Sequence, residues 1–362
     1  MESILNEIGR KFKIAGKLDS YSVITTGNIN ATYKVTYMQD DGSRESYLFQ
    51  RINTYVFKNP VAIMENIGRV TEYINERYPE QTILHYYQTD EGINFCICDD
   101  NAFWRVVNYV DAITFDTMED LSAIEAMGKA FGQFQRQLFD FDGSVLHETI
   151  PEFHNTKKRL DTLVAHVKED PCGRAAEVEK EIEYLSSVRE RAAELSIRFK
   201  NGEIPKRVTH NDTKCNNVLF DRVTKEPITV IDLDTVMPGM SIYDFADAAR
   251  FIANTAEEDE ADINKVSINT MKFCALAKGF LSMTKDVLEQ IEIDNLVKAT
   301  FSITVEQASR FLDDYITGDK YFKCNYAGHN LVRARCQIHL AKDIERKWDE
   351  LAQLISNITN NI

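Results

Sequence analysis

The 362 residues suffice for about two domains of ~150 residues, or one large bilobed one, with cores that need no disulfide or metal staple. Asp and Glu outnumber Lys and Arg 57 to 42, a net charge of −15. That balance argues against general nucleic-acid binding and against docking on anionic lipid, which both draw affinity from a basic face, while leaving room for a small anionic ligand at a site with its own cations.

The first hundred residues read mainly as strands. Residues 17–26, 31–38 and 43–52 are rich in Val, Ile, Tyr, Phe and Thr. Turn residues separate them at Gly27-Asn28 and at Gln39-Asp40-Asp41-Gly42, the second an Asp-Gly hairpin signature. A helix is expected over 60–77, where Pro60 suits the first turn and Val61, Met64, Ile67, Val70 and Ile74 recur at helical spacing. Further strands are expected at 81–89, 93–98 and 102–109. Beyond about Val110 the periodicity is helical, over 118–140, 151–167 and 174–201 and then, with breaks, over 241–252, 262–283, 284–315 and 331–355. A strand-and-loop segment interrupts it at 206–239. The pattern predicts an α+β chain with a strand-rich lobe at 1–110 and a larger, mainly helical lobe at 111–362.

The seven cysteines contain no C-x-x-C pair; Cys96 and Cys98, two apart in a strand-like run, read as small apolar residues. The N-terminus lacks a basic and apolar leader, and no run approaches ~18 apolar residues. A reducing cytoplasm is the expected setting, with neither a membrane nor a nucleic acid as partner.

The interrupting segment carries the chemistry. It reads Thr209-His210-Asn211-Asp212-Thr213-Lys214-Cys215-Asn216-Asn217, then an apolar strand, Ile228-Thr229-Val230-Ile231, ending in Asp232-Leu233-Asp234. Clusters of Asp, Asn and His also close turns by their own hydrogen bonds. A four-residue H-x-D-x-K-x-x-N pattern, followed by a strand-terminal Asp and preceded by a strand-rich lobe, is more specific. It supplies what phosphoryl transfer needs. Asp212 can meet the attacking hydroxyl and Lys214 can offset charge on the phosphoryl group. Asn217 and Asp232 offer hard oxygens to Mg²⁺. His210 is expected to buttress the loop. Asp234 either joins the metal site or orders the loop.

These motifs resemble the catalytic and metal motifs of the aminoglycoside phosphotransferase and choline kinase superfamily, a branch of the protein-kinase-like fold. Within it, the chain is most similar to bacterial N-acetylhexosamine 1-kinases. The resemblance rests also on Ile204-Pro205-Lys206-Arg207-Val208, Thr235-Val236-Met237-Pro238-Gly239, Asp244-Phe245-Ala246-Asp247 and His329-Asn330-Leu331-Val332-Arg333. It implies a bilobal fold with a small antiparallel-sheet lobe, ATP and Mg²⁺ as cofactors, Asp212 as catalytic carboxylate, and Asn217 and Asp232 as metal ligands. Asp244 is read as fixing the catalytic loop.

In the first lobe, the hairpin turn around Gly27, Asn28, Asn30 and Thr32 would cover the phosphates with backbone N–H groups and short polar side chains. It holds one glycine, and Asn28 stands where the hexosamine kinases carry His. Gln50 falls where protein kinases place a phosphate-gripping lysine, so either Arg51 bends in or Lys214 and Mg²⁺ carry more of the charge. Asn108 and Val110 mark the expected adenine hinge. On the acceptor side, the resemblance points to Arg310 and Tyr321 as ligands of sugar hydroxyls, next to Asp212. A mixture of donors and acceptors suits a polyol. The expected activity is phosphorylation of the anomeric hydroxyl of GlcNAc or GalNAc, with another sugar, an amino alcohol or an aminoglycoside as the alternative acceptor; a non-catalytic nucleotide- or sugar-binding protein is the third reading, against which the intact Asp212, Asn217 and Asp232 set argues.

Overall fold

The computed structural model describes residues 1–25, 29–81, 84–98 and 101–362. The chain divides into two compact units, Met1–Ile113 with Ser144–Thr149, and Thr114–Gly143 with Ile150–Ile362.

The first unit holds a five-stranded antiparallel sheet of order β1-β2-β3-β5-β4, made of β1 (Lys17–Ile24), β2 (Ala31–Met38), β3 (Arg44–Arg51), β4 (Cys96–Ile97) and β5 (Phe103–Asn108). The Asp-Gly turn between β2 and β3 forms, with Gly42 at φ 82°, a region open to residues without a Cβ. The register pairs Thr32 with Gln50 and Gln50 with Arg105. One face packs Val35, Tyr37, Tyr47, Phe49, Trp104 and Val106 against Leu5, Ile8 and Phe12. Those three belong to or directly follow α1 (Glu2–Lys11), a helix the strand-dominated reading of this region missed. Its signal was present in the spacing of Leu5, Ile8 and Phe12. Helix α2 (Pro60–Arg77) starts where the sequence places it, with Asn59 accepting from the Ala62 N–H. Of the strand expected at 81–89, residues 82 and 83 lie outside the described residues, and the rest hold an isolated bridge between Tyr86 and Val107.

The second unit is mainly helical: α3 (Leu121–Gln137), α4 (Thr156–Glu169), α5 (Glu179–Lys200), α6 (Ser241–Ile252), α7 (Thr270–Thr284), α8 (Gln290–Asp294), α9 (Leu296–Thr317), α10 (His329–Arg346) and α11 (Trp348–Asn361). Helices α3 and α7 meet backbone to backbone. A Cβ on Gly128 would overlap the Leu276 carbonyl oxygen, and one on Gly279 the Glu125 carbonyl oxygen. The breaks expected in the later helical stretches have definite places. The stretch 284–315 breaks where Glu289 and Glu292 form a capping box. The stretch 331–355 breaks at Lys347, which is not helical. Residues 262–269 hold no α-helix: Ile263–Lys265 make one 3-10 turn, Asn254 bridges Ile268 and Asn269 caps α7.

Between α5 and α6 lie two small hairpin-like sheets. Strand β6 (Arg207–Thr209) pairs with β9 (Met237–Gly239), and β7 (Val218–Phe220) with β8 (Pro227–Val230). Among the described residues no helix is long and apolar enough to cross a membrane.

Candidate active site

The loop from β6 to β7 takes its shape from one buried carboxylate. Asp244, in the first turn of α6, accepts the backbone N–H of His210 at Oδ2 and of Asn211 at Oδ1, both at 2.8 Å. Gln135 Nε2, from α3, donates to the same Oδ2. The Thr213 hydroxyl donates to the Asp244 carbonyl at 2.6 Å. Burial pushes the Asp244 carboxyl above its ordinary value, against the pull of His210 and the backbone donors. His210 is fully buried and stands edge-on to Phe131 and Phe134 of α3, 5.6 and 5.7 Å between ring centres. Its Nε2–H donates to the Ile231 carbonyl (2.9 Å), so Nδ1 accepts from the Asp212 N–H (3.3 Å). Both ring nitrogens are committed to backbone, and His210 braces the loop.

Asp212 is thereby presented with its side chain one-quarter exposed, and both its oxygens meet donors. Lys214 Nζ lies 2.8 Å from Oδ1. Asn217 Nδ2 donates to Oδ2 at 3.1 Å and to the Asp212 carbonyl at 2.9 Å. Burial works to lower the Lys214 pKa, but Asp212, then Asp247 and Glu258, outweigh it and hold the ammonium above its ordinary value.

The Ile231 N–H donates to the Asn217 carbonyl at 2.8 Å, so Asn217 and Asp232 stand at neighbouring ends of the β7–β8 hairpin. Asp232 has φ 61° and ψ 61° and turns the chain into a short helical turn, Leu233–Thr235, within which Asp234 is buried. With its amide nitrogen spent on Asp212, Asn217 has Oδ1 to give a cation. Together with the Asp232 carboxylate this makes two hard oxygen donors, a set that fits Mg²⁺ completed by water and phosphate oxygens.

Charges continue from this loop along the helices. Burial would raise the Asp247 carboxyl, yet Arg250, His154 and Lys214 hold it below the usual range. His154 Nδ1–H donates to Glu306 Oε1 (2.9 Å), and Glu306 Oε2 accepts from the Thr156 hydroxyl (2.7 Å). Glu306 in turn is kept low, against burial, by His154 and then Arg310. Arg310 and Tyr321 come together, 6.0 Å from guanidinium to ring centre. Both line a cavity of about 210 Å³ that also meets Arg159, Asp313, Asp314 and Phe322. Asp212, Lys214 and Asn217 are not part of that lining. Asp314 shapes it: Oδ1 accepts the N–H groups of Lys320 and Tyr321 at 2.8 Å, and Oδ2 those of Phe322 (2.9 Å) and the Asn330 amide (2.8 Å).

In the first unit, Gln50 Nε2 donates to the Thr32 hydroxyl (3.1 Å) and Gln50 Oε1 accepts from Arg105 Nε (2.9 Å). The cation beside the expected lysine position is thus Arg105, 1 % exposed, with Nη1 3.8 Å from Met64 Sδ. Arg51, on the neighbouring position, is exposed. Asn30 Oδ1 accepts the Asn53 N–H (3.0 Å), and Asn108 Oδ1 that of His85 (2.7 Å). Val110 follows β5 and is half-buried. Gly27 and Asn28 lie outside the described residues. Sequence reasoning missed Gln135, His154 and Arg159. For Arg105 a signal existed, a lone charge within Phe103-Trp104-Arg105-Val106-Val107.

A family model described as the phosphotransferase enzyme family matches residues 20–267, and the chain belongs to that family. Solved structures extend the likeness over nearly the whole chain. A microcompartment-associated aminopropanol kinase is 14% identical with a TM-score of 0.62, covering 96% of this chain and 98% of its own. A choline kinase from Cryptosporidium parvum is 13% identical with a TM-score of 0.56, covering 100% of both chains. An amicoumacin kinase in complex with AMP-PNP and Ca²⁺ is 13% identical with a TM-score of 0.55, covering 96% of this chain and 93% of its own. At such identities the likeness is one of fold: α+β, with a small antiparallel-sheet region and a larger helical one.

Proposed function

We propose that this phosphotransferase is an ATP- and Mg²⁺-dependent kinase of N-acetylhexosamines that transfers the γ-phosphoryl group to the anomeric hydroxyl. The observation that carries the reading is the Asp212 carboxylate, clamped between Lys214 and Asn217 on a loop braced by Asp244 and His210. Asp212 orients the hydroxyl and takes its proton as the oxygen bonds to phosphorus and the bond to the departing ADP breaks. Lys214, kept charged beside Asp212, offsets negative charge on the moving phosphoryl group. Asn217 and Asp232 would hold Mg²⁺, which when bound supplies charge neutralisation at the phosphate oxygens. Thr32, Gln50 and Asn30 belong to the nucleotide side in this reading, with Gly27, Asn28, Asn108 and Val110. Arg310 and Tyr321 belong to the acceptor side.

The aminopropanol and choline kinases among the similar folds make an amino alcohol the competing acceptor. The test is ADP release from Mg-ATP with GlcNAc or GalNAc. Asp212→Asn keeps the side-chain shape but has one acceptor oxygen, so its N–H₂ faces either Lys214 or Asn217; it is expected to retain nucleotide binding and lose turnover by about 10²–10⁴-fold. Near-normal turnover of that variant would contradict the assignment.

A further inference from the structure

One carboxylate beside the catalytic loop is half used. Asp247 lies on α6 one turn after Asp244, and residues three apart share a helix face. On that face Asp244 accepts the N–H groups of His210 and Asn211 at its carboxylate and the Thr213 hydroxyl at its carbonyl. Asp247 thereby comes into the field of Lys214, the residue after Thr213. The turn before α4 packs on the same helix: the Thr156 and Tyr243 hydroxyls meet at 3.3 Å, and the His154 ring stands edge-on to that of Tyr243, 5.7 Å between centres.

Asp247 is 8 % exposed. Its Oδ1 takes both bonds from Arg250, Nε at 3.1 Å and Nη2 at 2.9 Å. Its Oδ2 takes none among the described residues. Nor is that oxygen sealed off. The sealed, partnerless polar atoms are others, such as Trp104 Nε1 and His154 Nε2, and the Asp247 side chain keeps 11 % of its surface open. Arg250 is itself held by Glu258 Oε1 (2.8 Å) and Gln337 Oε1 (3.2 Å). It thus fixes Oδ1 and leaves Oδ2 as a directed acceptor. Such an oxygen, on a side chain otherwise out of water, gains from a ligand O–H.

The charges around Asp247 put it between the two parts of the site. Toward the loop it feels Lys214, which pairs with Asp212. Toward the helices it feels His154, which holds Glu306, itself under the charge of Arg310. An acceptor that meets Asp212 with one hydroxyl and Arg310 with another part passes this oxygen. We propose that Asp247 is a substrate-binding residue that sets acceptor specificity, its Oδ2 accepting a hydrogen bond from a hydroxyl of the acceptor other than the one phosphorylated. This rests on the reading that the acceptor is a sugar held between Asp212 and Arg310. An acceptor with a hydrogen to give at that position is preferred over one that presents lone pairs alone.

The experiment uses GlcNAc and a series in which each hydroxyl other than the anomeric one is replaced in turn by fluorine, which cannot donate. Calorimetric binding and ADP release are read in the wild type, Asp247→Asn and Asp247→Glu, with melting temperature as the check on folding. In the wild type one fluorinated sugar is expected to bind about tenfold or more weakly than GlcNAc, because its fluorine faces the carboxylate. Asp247→Asn keeps an oxygen for Arg250 and puts N–H₂ in place of Oδ2. It is expected to weaken GlcNAc but not that fluorinated sugar, so the gap between the two closes, with the KM for ATP unchanged. Asp247→Glu keeps the charge beside Arg250 and displaces the oxygen. It is expected to close the gap as well, and it carries the test if Asp247→Asn does not fold. A folded variant that keeps the gap, or that weakens every sugar of the series alike as a purely structural change would, overturns the proposal. So does a wild type that binds every fluorinated sugar as well as GlcNAc. If the wild type uses an amino alcohol and no sugar, the sugar reading fails by itself. Asp247 is then upheld by a KM for that acceptor raised about tenfold or more in Asp247→Asn, with the KM for ATP unchanged, and overturned by an unchanged one. Absence of binding and turnover with all these acceptors overturns both.

Discussion

Asp244 touches no expected substrate atom, yet it fixes the two residues that precede Asp212 by accepting their backbone N–H groups. Asp244→Asn would turn an amide N–H₂ toward one of those donors. It is expected to lower stability by about 1–3 kcal/mol and to reduce kcat well beyond what the fall in melting temperature explains, read by thermal melting and steady-state turnover. A variant with wild-type kcat would mean that the loop holds its shape without this brace. At this scale the cluster itself was legible, because Asp212, Lys214 and Asn217 are close in sequence and the structure sets them in contact. The supports were not. Gln135 lies 109 positions from Asp244, and no local pattern announces such a contact. Gln50 shows the same limit: strand alternation marks its face, but the buried Arg105 that holds it comes from a strand 55 residues on.

Helix α3 connects these residues to the packing of the second unit, since it carries Phe131, Phe134 and Gln135. Its position depends on glycines at 128 and 132, four apart and so on one face, and on Gly279 of α7. At Gly132 an added Cβ would lie 2.7 Å from the Phe280 carbonyl oxygen. Gly279→Ala is therefore expected to push α3 and α7 apart. The cost is about 1–3 kcal/mol, seen as a lower melting temperature, and turnover falls with it because α3 holds His210 and Asp244. An unchanged melting temperature would contradict the close approach. The bounds of α2 and α6 were readable to the residue, in α2 because the apolar spacing agrees with the Asn59 cap and Pro60. The places of the breaks inside long apolar stretches were not, because the helix that ends at Thr284 and the one that starts at Leu296 are both strongly apolar. The strand expected at 81–89 has the right composition but little pairing, and pairing depends on a distant partner.

For the whole molecule, the two-part division into a strand-rich first region and a helical remainder followed from a change of period near Val110. The additional return of Ser144–Thr149 to the first unit did not, being a matter of which core a short loop joins. The charge of −15 fits the proposed chemistry, because a polyphosphate that arrives with Mg²⁺ meets acidic metal ligands, and a neutral sugar needs no counter-charge. The position of attack is the most specific part of the proposal. It is tested by ADP release from Mg-ATP with GlcNAc or GalNAc beside the methyl glycoside of the same sugar, whose anomeric oxygen is blocked. The free sugar is expected to be phosphorylated and the methyl glycoside to give no ADP above background; phosphorylation of the methyl glycoside would contradict transfer to the anomeric hydroxyl.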